Sequence, residues 1–276
     1  MVYLILVSIL WSFSFGIIKY GLAGIDSSYI SFIRSLIALL FFSSISIYNI
    51  KKFTFDIKLI FIGALQFGLM YIFYIQSYAY LPAYLIATFT ITTPIFVGLA
   101  SKYISHQSIS MNGIYAILLV LVGSFLMRIN IVNPIDYWFG FLLIQFANLF
   151  FACGQILFKE WKIKNDSTDI LHNFSQMFLG ATIITSVFYF LVASGSNQLS
   201  SENLFALIFL GLISTGLGFL FWNLGSLEVS NDKLAVMNNL IIPIAILNSF
   251  LIFGEKIDFL TFVPGMICFY YALKIL

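Results

Sequence analysis

The chain has 276 residues, of which 61% are apolar, 18% aromatic and only 9% charged. Its 13 Lys and Arg and 11 Asp and Glu are too few to wet a globule of 31.2 kDa, because soluble domains carry about 25% charged residues. A water-soluble enzyme, a nucleic-acid-binding protein and a disordered tail are thereby excluded, and an all-α polytopic membrane protein with the lipid bilayer as its solvent remains.

Polar and Gly/Pro/Ser interruptions divide the sequence into ten apolar segments, at roughly 2–21, 28–48, 58–79, 83–103, 111–129, 137–158, 170–193, 204–224, 233–252 and 258–275. Each is close to the ~20 residues that carry a helix across ~30 Å of hydrocarbon. The runs are continuous and do not alternate, which argues against a β-barrel. Lipid offers backbone groups no partners, so ten transmembrane helices joined by short loops are expected. Basic residues set the orientation. With the N-terminus inside, Lys51, Lys52, Lys58, Lys102, Lys159, Lys162, Lys164, Lys233 and Lys274 fall on inner loops or the C-terminus, against Arg128 and Lys256 outside. Both termini are therefore expected to be cytoplasmic, with the chain multi-pass in the inner membrane. No basic leader precedes the first run, so no cleavable signal peptide is expected. Cys153 and Cys268 both lie in apolar runs, which does not suggest a disulfide framework.

A repeat of features joins the two halves. Gly63-Ala-Leu-Gln-Phe-Gly68 opens the third segment and Gly211-Leu-Ile-Ser-Thr-Gly216 the eighth. Each half continues through an aromatic cluster (Tyr71 and Tyr74; Phe219 and Trp222), a polar break and a helix with one proline, Pro94 or Pro243. Lys19 and Lys159 end comparable runs. Two units, 1–129 and 137–276, each of five helices, must insert with opposite topology because five is odd. Inverted repeats of this kind form alternating-access carriers with a substrate site between the halves.

Trp11-Ser-Phe-Ser-Phe-Gly16 followed by Lys19 and then Arg34 resembles the opening of the drug/metabolite transporter superfamily, in its ten-helix EamA-type members. The helices of Pro94 and Pro243, and Gly254-Glu255-Lys256, fit the same pattern; His106 stands where the first half would carry Glu. Within that superfamily, Ile9–Phe15, Gly63–Tyr71, Gly140–Asn148, Gly216–Gly225 and Met237-Asn-Asn239 resemble its bacterial biotin importers. The resemblance implies uptake of biotin or another small carboxylate or zwitterion. Trp222-Asn223 also resembles the superfamily's aromatic amino-acid exporters, which keeps export of aromatic or hydrophobic amino acids as an alternative. A non-transporting membrane assembly protein is a third reading.

Ionisable groups inside a spanning helix are costly and mark a pathway by default. Lys19 is read either as snorkelling to the headgroups or as meeting a substrate carboxylate. Arg34, among Phe32, Ile33, Leu36 and Ile37, is read either as a structural tie or as a substrate contact. All acidic residues fall at or beyond segment ends, so neither a mid-membrane carboxylate relay nor a site for cationic drugs is expected. Gln145, Asn148, Gln155 and Lys159 form one stripe of the sixth helix, with Gln145 and Asn148 read as cavity lining against interhelical glue. Trp11, Phe15, Gln66, Met70, Tyr71, Tyr74, Trp222, Asn223, Asn238 and Asn239 complete the candidate substrate-binding set. Aromatic walls suit a ring, and amides supply both donors and acceptors for a ureido group. Pro94 and Pro243 are candidate hinges or static bends. Gly16, Gly154, Gly180, Gly216 and Gly218 are expected to permit close helix approach. His106 and His172 are read as solvated loop residues. No catalytic set, metal cluster or phosphate loop is present in the sequence, so no enzymatic activity, metal or cofactor is expected, and the oligomeric state is open.

Overall fold

The computed structural model describes residues 1–47, 55–127, 137–193, 199–253 and 258–276. Arg128, Lys51, Lys52 and Gly254-Glu255-Lys256 lie outside the described residues. Among the described residues, seven helices are long and apolar enough to cross a membrane: α1 (Val2–Gly21), α2 (Ser27–Ile47), α3 (Ile57–Ala79), α4 (Leu85–Ile104), α6 (Trp138–Lys164), α7 (Ile170–Val192) and α8 (Ser201–Leu227). Two shorter apolar helices, α5 (Met111–Leu126) and α11 (Phe259–Ile275), and the consecutive pair α9 (Asn231–Asn238) and α10 (Ile241–Phe253) complete the bundle. No strand occurs among the described residues.

The acids confined to segment ends start helices. Asp56, Asp169 and Asp258 accept backbone N–H bonds at the first turns of α3, α7 and α11, and Ser110, Ser200 and Ser230 do the same for α5, α8 and α9. Each satisfies donors that a helix N-terminus otherwise leaves unpaired. Asp169 shows the electrostatic consequence. Burial pushes its carboxyl up, but the N–H groups of Leu171 and His172 outweigh this and hold it below its ordinary value.

The polar side chains of the helices are turned inward, among buried aromatic and aliphatic ones, and large apolar side chains face outward, as lipid demands. Leu251, Leu260 and Phe190 are 73%, 87% and 78% exposed, whereas Arg34 is 2% exposed and Gln66, Gln155 and Asn223 are fully buried. Without a hydrophobic drive between helices in lipid, close backbone approach and van der Waals packing must hold them. Around the α3–α7 seam this is visible. A Cβ on Gly63 would stand 1.9 Å from the Met177 carbonyl oxygen, and one on Gly180 the same distance from that of Ile60. Beside it Phe42, Phe67, Phe174 and Phe178 stack at 4.7 to 6.1 Å. Gly16, by contrast, faces open space and permits no close approach.

The contacts are reciprocal between the halves. α2 packs on α7 and α5 on α11; α1 packs on α8 and α10, while α6 packs on α3 and α4. Three helices contain wide π-helical turns, at Ile17–Gly21, Ala64–Leu69 and Phe209–Leu217. The last two occupy the paired glycine-bounded stretches. The proline helices are interrupted just before each proline, α4 by a 3₁₀ turn at Thr90–Thr92 and the ninth segment by a turn at Asn239–Leu240. Pro94 lacks the N–H that would bond Thr90, and the Thr93 hydroxyl donates to that carbonyl instead, at 2.7 Å.

His172 is a correction to the sequence reading. It is 2% exposed at the start of α7, with Nε2 donating to the Ser46 carbonyl at 3.1 Å. Helix α7 begins at Ile170, so the ring falls on its first turns and packs on the end of α2. His106 is exposed, at a positive φ of 54° between α4 and α5.

Candidate substrate cavity

A cavity of about 110 Å³ lies where α1, α2, α3, α4, α6, α8 and the α9–α10 junction meet. Helix α1 contributes Ser8, Trp11, Ser14, Phe15 and Ile18, one face at helical spacing. Arg34 enters from α2; Met70, Tyr71 and Tyr74 from α3; Thr90 and Thr93 from the interruption of α4. Ala147, Asn148 and Phe151 come from α6, Ser214, Phe219 and Trp222 from α8, and Asn238 and Ile241 from the ninth segment.

One wall is aromatic. Trp11 stacks on Trp222 at 5.1 Å and lies 5.0 Å from Phe219 and 5.8 Å from Phe151. Its indole N–H donates to the Ser214 carbonyl at 2.9 Å, and that of Trp222 to Gln155 Oε1 at 2.9 Å, so both rings are fixed by their polar edges. Phe15 stands edge-on to Tyr74 at 6.2 Å.

The cationic pole is Arg34. Its Nε donates to Thr215 Oγ1 at 3.1 Å and its Nη2 to the Tyr71 hydroxyl at 3.0 Å, with the guanidinium carbon 4.4 Å from the Tyr71 ring centre. Its Nη1 is buried without a hydrogen-bond partner. Among the described residues, none forms an ion pair with Arg34 and no Asp or Glu lines the cavity. The buried guanidinium thus has two neutral hydrogen-bond partners and one nitrogen without any.

The amides divide between walls and ties. Asn148 lines the cavity, and its Nδ2 donates to the Phe89 carbonyl at 3.0 Å and to Thr92 Oγ1 at 3.1 Å. Asn238 also lines it, with Nδ2 donating to the Leu234 carbonyl at 2.7 Å. Gln145 sits behind the wall, donating to the Phe89 carbonyl at 3.3 Å and accepting from Thr92 at 2.6 Å. Asn239 donates to the Ile91 carbonyl at 2.8 Å, so the two proline-helix interruptions touch each other. Three amides thus donate to two carbonyls at the interruption of α4, those of Phe89 and Ile91. Gln66 and Asn223 are outside the cavity and pair with each other, Nε2 to Oδ1 at 3.0 Å and Nδ2 to Oε1 at 3.4 Å.

Lys19 is also away from the cavity lining. Its ammonium donates to the carbonyls of Tyr78 at 3.1 Å and Leu81 at 3.4 Å, at the end of α3. Lys159, its counterpart in the second half, donates to the Val229 carbonyl at the end of α8. Both lysines cap helix C-termini, where free carbonyls and the helix dipole favour a cation. The cavity residues that sequence reasoning did not single out are Ser14, Ile18, Thr90, Thr93, Ala147, Phe151, Ser214 and Ile241. Phe151 follows Asn148 by three residues and Ser14 precedes Phe15; those spacings were the available signal.

The EamA-like transporter family pattern matches residues 1–129 and 138–275. A biotin transporter of Escherichia coli (strain K12) is 29% identical over 96% of this chain and 89% of its own length. A probable biotin transporter of Pseudomonas aeruginosa is 32% identical over 93% of this chain and 90% of its own. A solved crystal structure with 11% identity superimposes with a TM-score of 0.79 over 99% of this chain and 94% of the other, which shows a shared fold. The chain belongs to the EamA-like transporter family, as a helical, multi-pass membrane transporter.

Proposed function

We propose that the protein is a secondary carrier that takes up biotin, or a closely similar monocarboxylate, across the inner membrane by alternating access. The observation that carries the reading is the spare Nη1 of Arg34 in a cavity with an aromatic wall and no acid. A carboxylate neutralises the guanidinium, Trp11, Phe15, Tyr74 and Trp222 contact an apolar bicycle, and Asn148 and Asn238 face the ureido group. None of the hydrogen bonds of Asn148 uses its Oδ1, which suits a ureido N–H. The names of the relatives support the same substrate.

In this reading the chain has ten spans in two inverted five-helix repeats, 1–129 and 137–276, with both termini cytoplasmic. The reciprocal contacts and the two lysine caps support the repeat. The proline-helix interruptions are the hinges, because their carbonyls are held by side chains that can exchange partners. Gln66, Asn223, Gln145, Asn239 and Lys19 hold helices together and shape the cavity from behind. An amino-acid substrate fits less well, since its ammonium group would find no carboxylate there. The test is entry of labelled biotin into a biotin-requiring strain expressing the protein. Uptake above the empty vector at nanomolar to micromolar biotin is expected; its absence, with efflux of preloaded aromatic amino acids, would establish the exporter reading instead.

A further inference from the structure

Thr215 is fully buried in the wide turn of α8, one residue beyond Ser214 of the cavity wall, and does not itself line the cavity. Its hydroxyl closes a three-way contact. Arg34 Nε donates to Thr215 Oγ1 at 3.1 Å, Arg34 Nη2 donates to the Tyr71 hydroxyl at 3.0 Å, and the two hydroxyl oxygens lie 2.8 Å apart. A guanidinium is planar, so holding it at Nε and Nη2 fixes its plane and with it the direction of Nη1. Tyr71 alone would leave the group free to turn about one contact. The donors agree: Nε gives its N–H to Thr215 and Nη2 one of its two to Tyr71, while Nη1 is the guanidinium nitrogen that makes no hydrogen bond.

The contact also crosses between the halves. Arg34 and Tyr71 belong to α2 and α3, and Thr215 to α8. The adjacent Ser214 is tied to α1 through its carbonyl, to Trp11, and through its hydroxyl, 2.8 Å from that of Ser14. The extra residue per turn in Phe209–Leu217 lets consecutive residues face α1 and α2. Resting on the carboxylate reading above, we infer that Thr215 is a positioning residue for carboxylate recognition. It orients Arg34 only while the two halves are apposed as they are here, which makes affinity for the anion depend on the conformation of the carrier. Separation of α8 from α2 releases Nε, unfixes Nη1 and weakens the hold on the carboxylate. The neutral part of the ligand is unaffected.

The test compares biotin with its uncharged primary amide in equilibrium competition against labelled biotin on the purified full chain. Thr215→Val keeps the shape and removes the hydroxyl; it is expected to weaken biotin about tenfold and to leave the amide unchanged. Thr215→Ser restores biotin affinity, and adding Thr215→Val to Arg34→Gln costs nothing further, because the hydroxyl acts through the guanidinium. If Thr215→Val fails to fold, Tyr71→Phe removes the other anchor and is expected to give the same carboxylate-selective loss. Equal weakening of acid and amide by these variants, or an undiminished preference for the acid, overturns the inference. A wild-type protein that binds neither compound overturns the substrate reading itself, and the inference with it.

Discussion

Replacing Arg34 by Gln removes the cavity's cation while keeping a polar side chain of similar reach. Nε and Nη2 each give a hydrogen bond, to Thr215 and Tyr71, and Nη1 gives none, so a substrate carboxylate is assigned one charge-assisted bond, from Nη1. A hydrogen bond to a charged group contributes about 1.5–3 kcal/mol, and each 1.4 kcal/mol is about tenfold in affinity. Arg34→Gln is therefore expected to weaken biotin by roughly 10- to 150-fold. The uncharged biotin amide, which draws no charge-assisted bond from Nη1, should change by less than about threefold. Folding is not expected to suffer in proportion, because an unneutralised cation is itself costly at that depth, by roughly 2.5–3.5 kcal/mol on insertion scales. The assay is competition against labelled biotin on purified protein, with the thermal unfolding midpoint measured in parallel. Equal loss of acid and amide, with a fall in the midpoint, would refute the reasoning and make Arg34 a tie between α2, α3 and α8.

Lys19→Met is expected to do the opposite: loss of the cap on Tyr78 and Leu81 destabilises the fold by about 1 kcal/mol, read as a lower unfolding midpoint, with biotin and its amide weakened alike. Gly180→Ala drives a methyl group into the Ile60 carbonyl and should abolish recovery of folded protein, scored by size-exclusion profile; a normal profile would show that the α3–α7 seam has slack. Asp169→Ala removes the cap of α7 at a cost of about 1 kcal/mol near neutral pH. The folded carboxyl titrates below its ordinary value of 3.8, so its contribution is present above that value and disappears as pH falls through the lower, folded one. Variant and wild type should therefore converge in unfolding midpoint only in strong acid. Finally, the empty cavity leaves Arg34 unneutralised and a bound carboxylate cancels its charge, so exchange of labelled for unlabelled biotin in proteoliposomes should run several-fold faster than net entry; equal rates would show that the empty carrier reorients freely.

The helical membrane fold was legible because lipid imposes long apolar runs and leaves acids only at their ends, where Asp56, Asp169 and Asp258 turn out to cap helices. Trp11, Phe15, Met70, Tyr71, Tyr74, Asn148, Trp222 and Asn238, marked from stripes and polar interruptions, converge on one cavity. Lys19 and Arg34 looked alike in sequence, as two cations in apolar surroundings. What separates them is tertiary: the carbonyls that occupy Lys19 come from α3, and the hydroxyls that leave Arg34 one free nitrogen come from α3 and α8. Gln66 and Asn223 satisfy each other across helices far apart in sequence, so neither residue betrays its partner. Phe151 was hidden among 32 phenylalanines, and Thr215, although inside the glycine-bounded stretch 211–216, because its partners Arg34 and Tyr71 come from helices far away in sequence.

The most direct measurement is the initial rate of labelled biotin entry into proteoliposomes containing the purified protein as their only carrier. Saturable entry, inhibited by unlabelled biotin far better than by biotin amide and reduced to the protein-free rate by Arg34→Gln at low biotin, is the predicted result. Entry indistinguishable from protein-free liposomes, or inhibited equally by acid and amide, would contradict it.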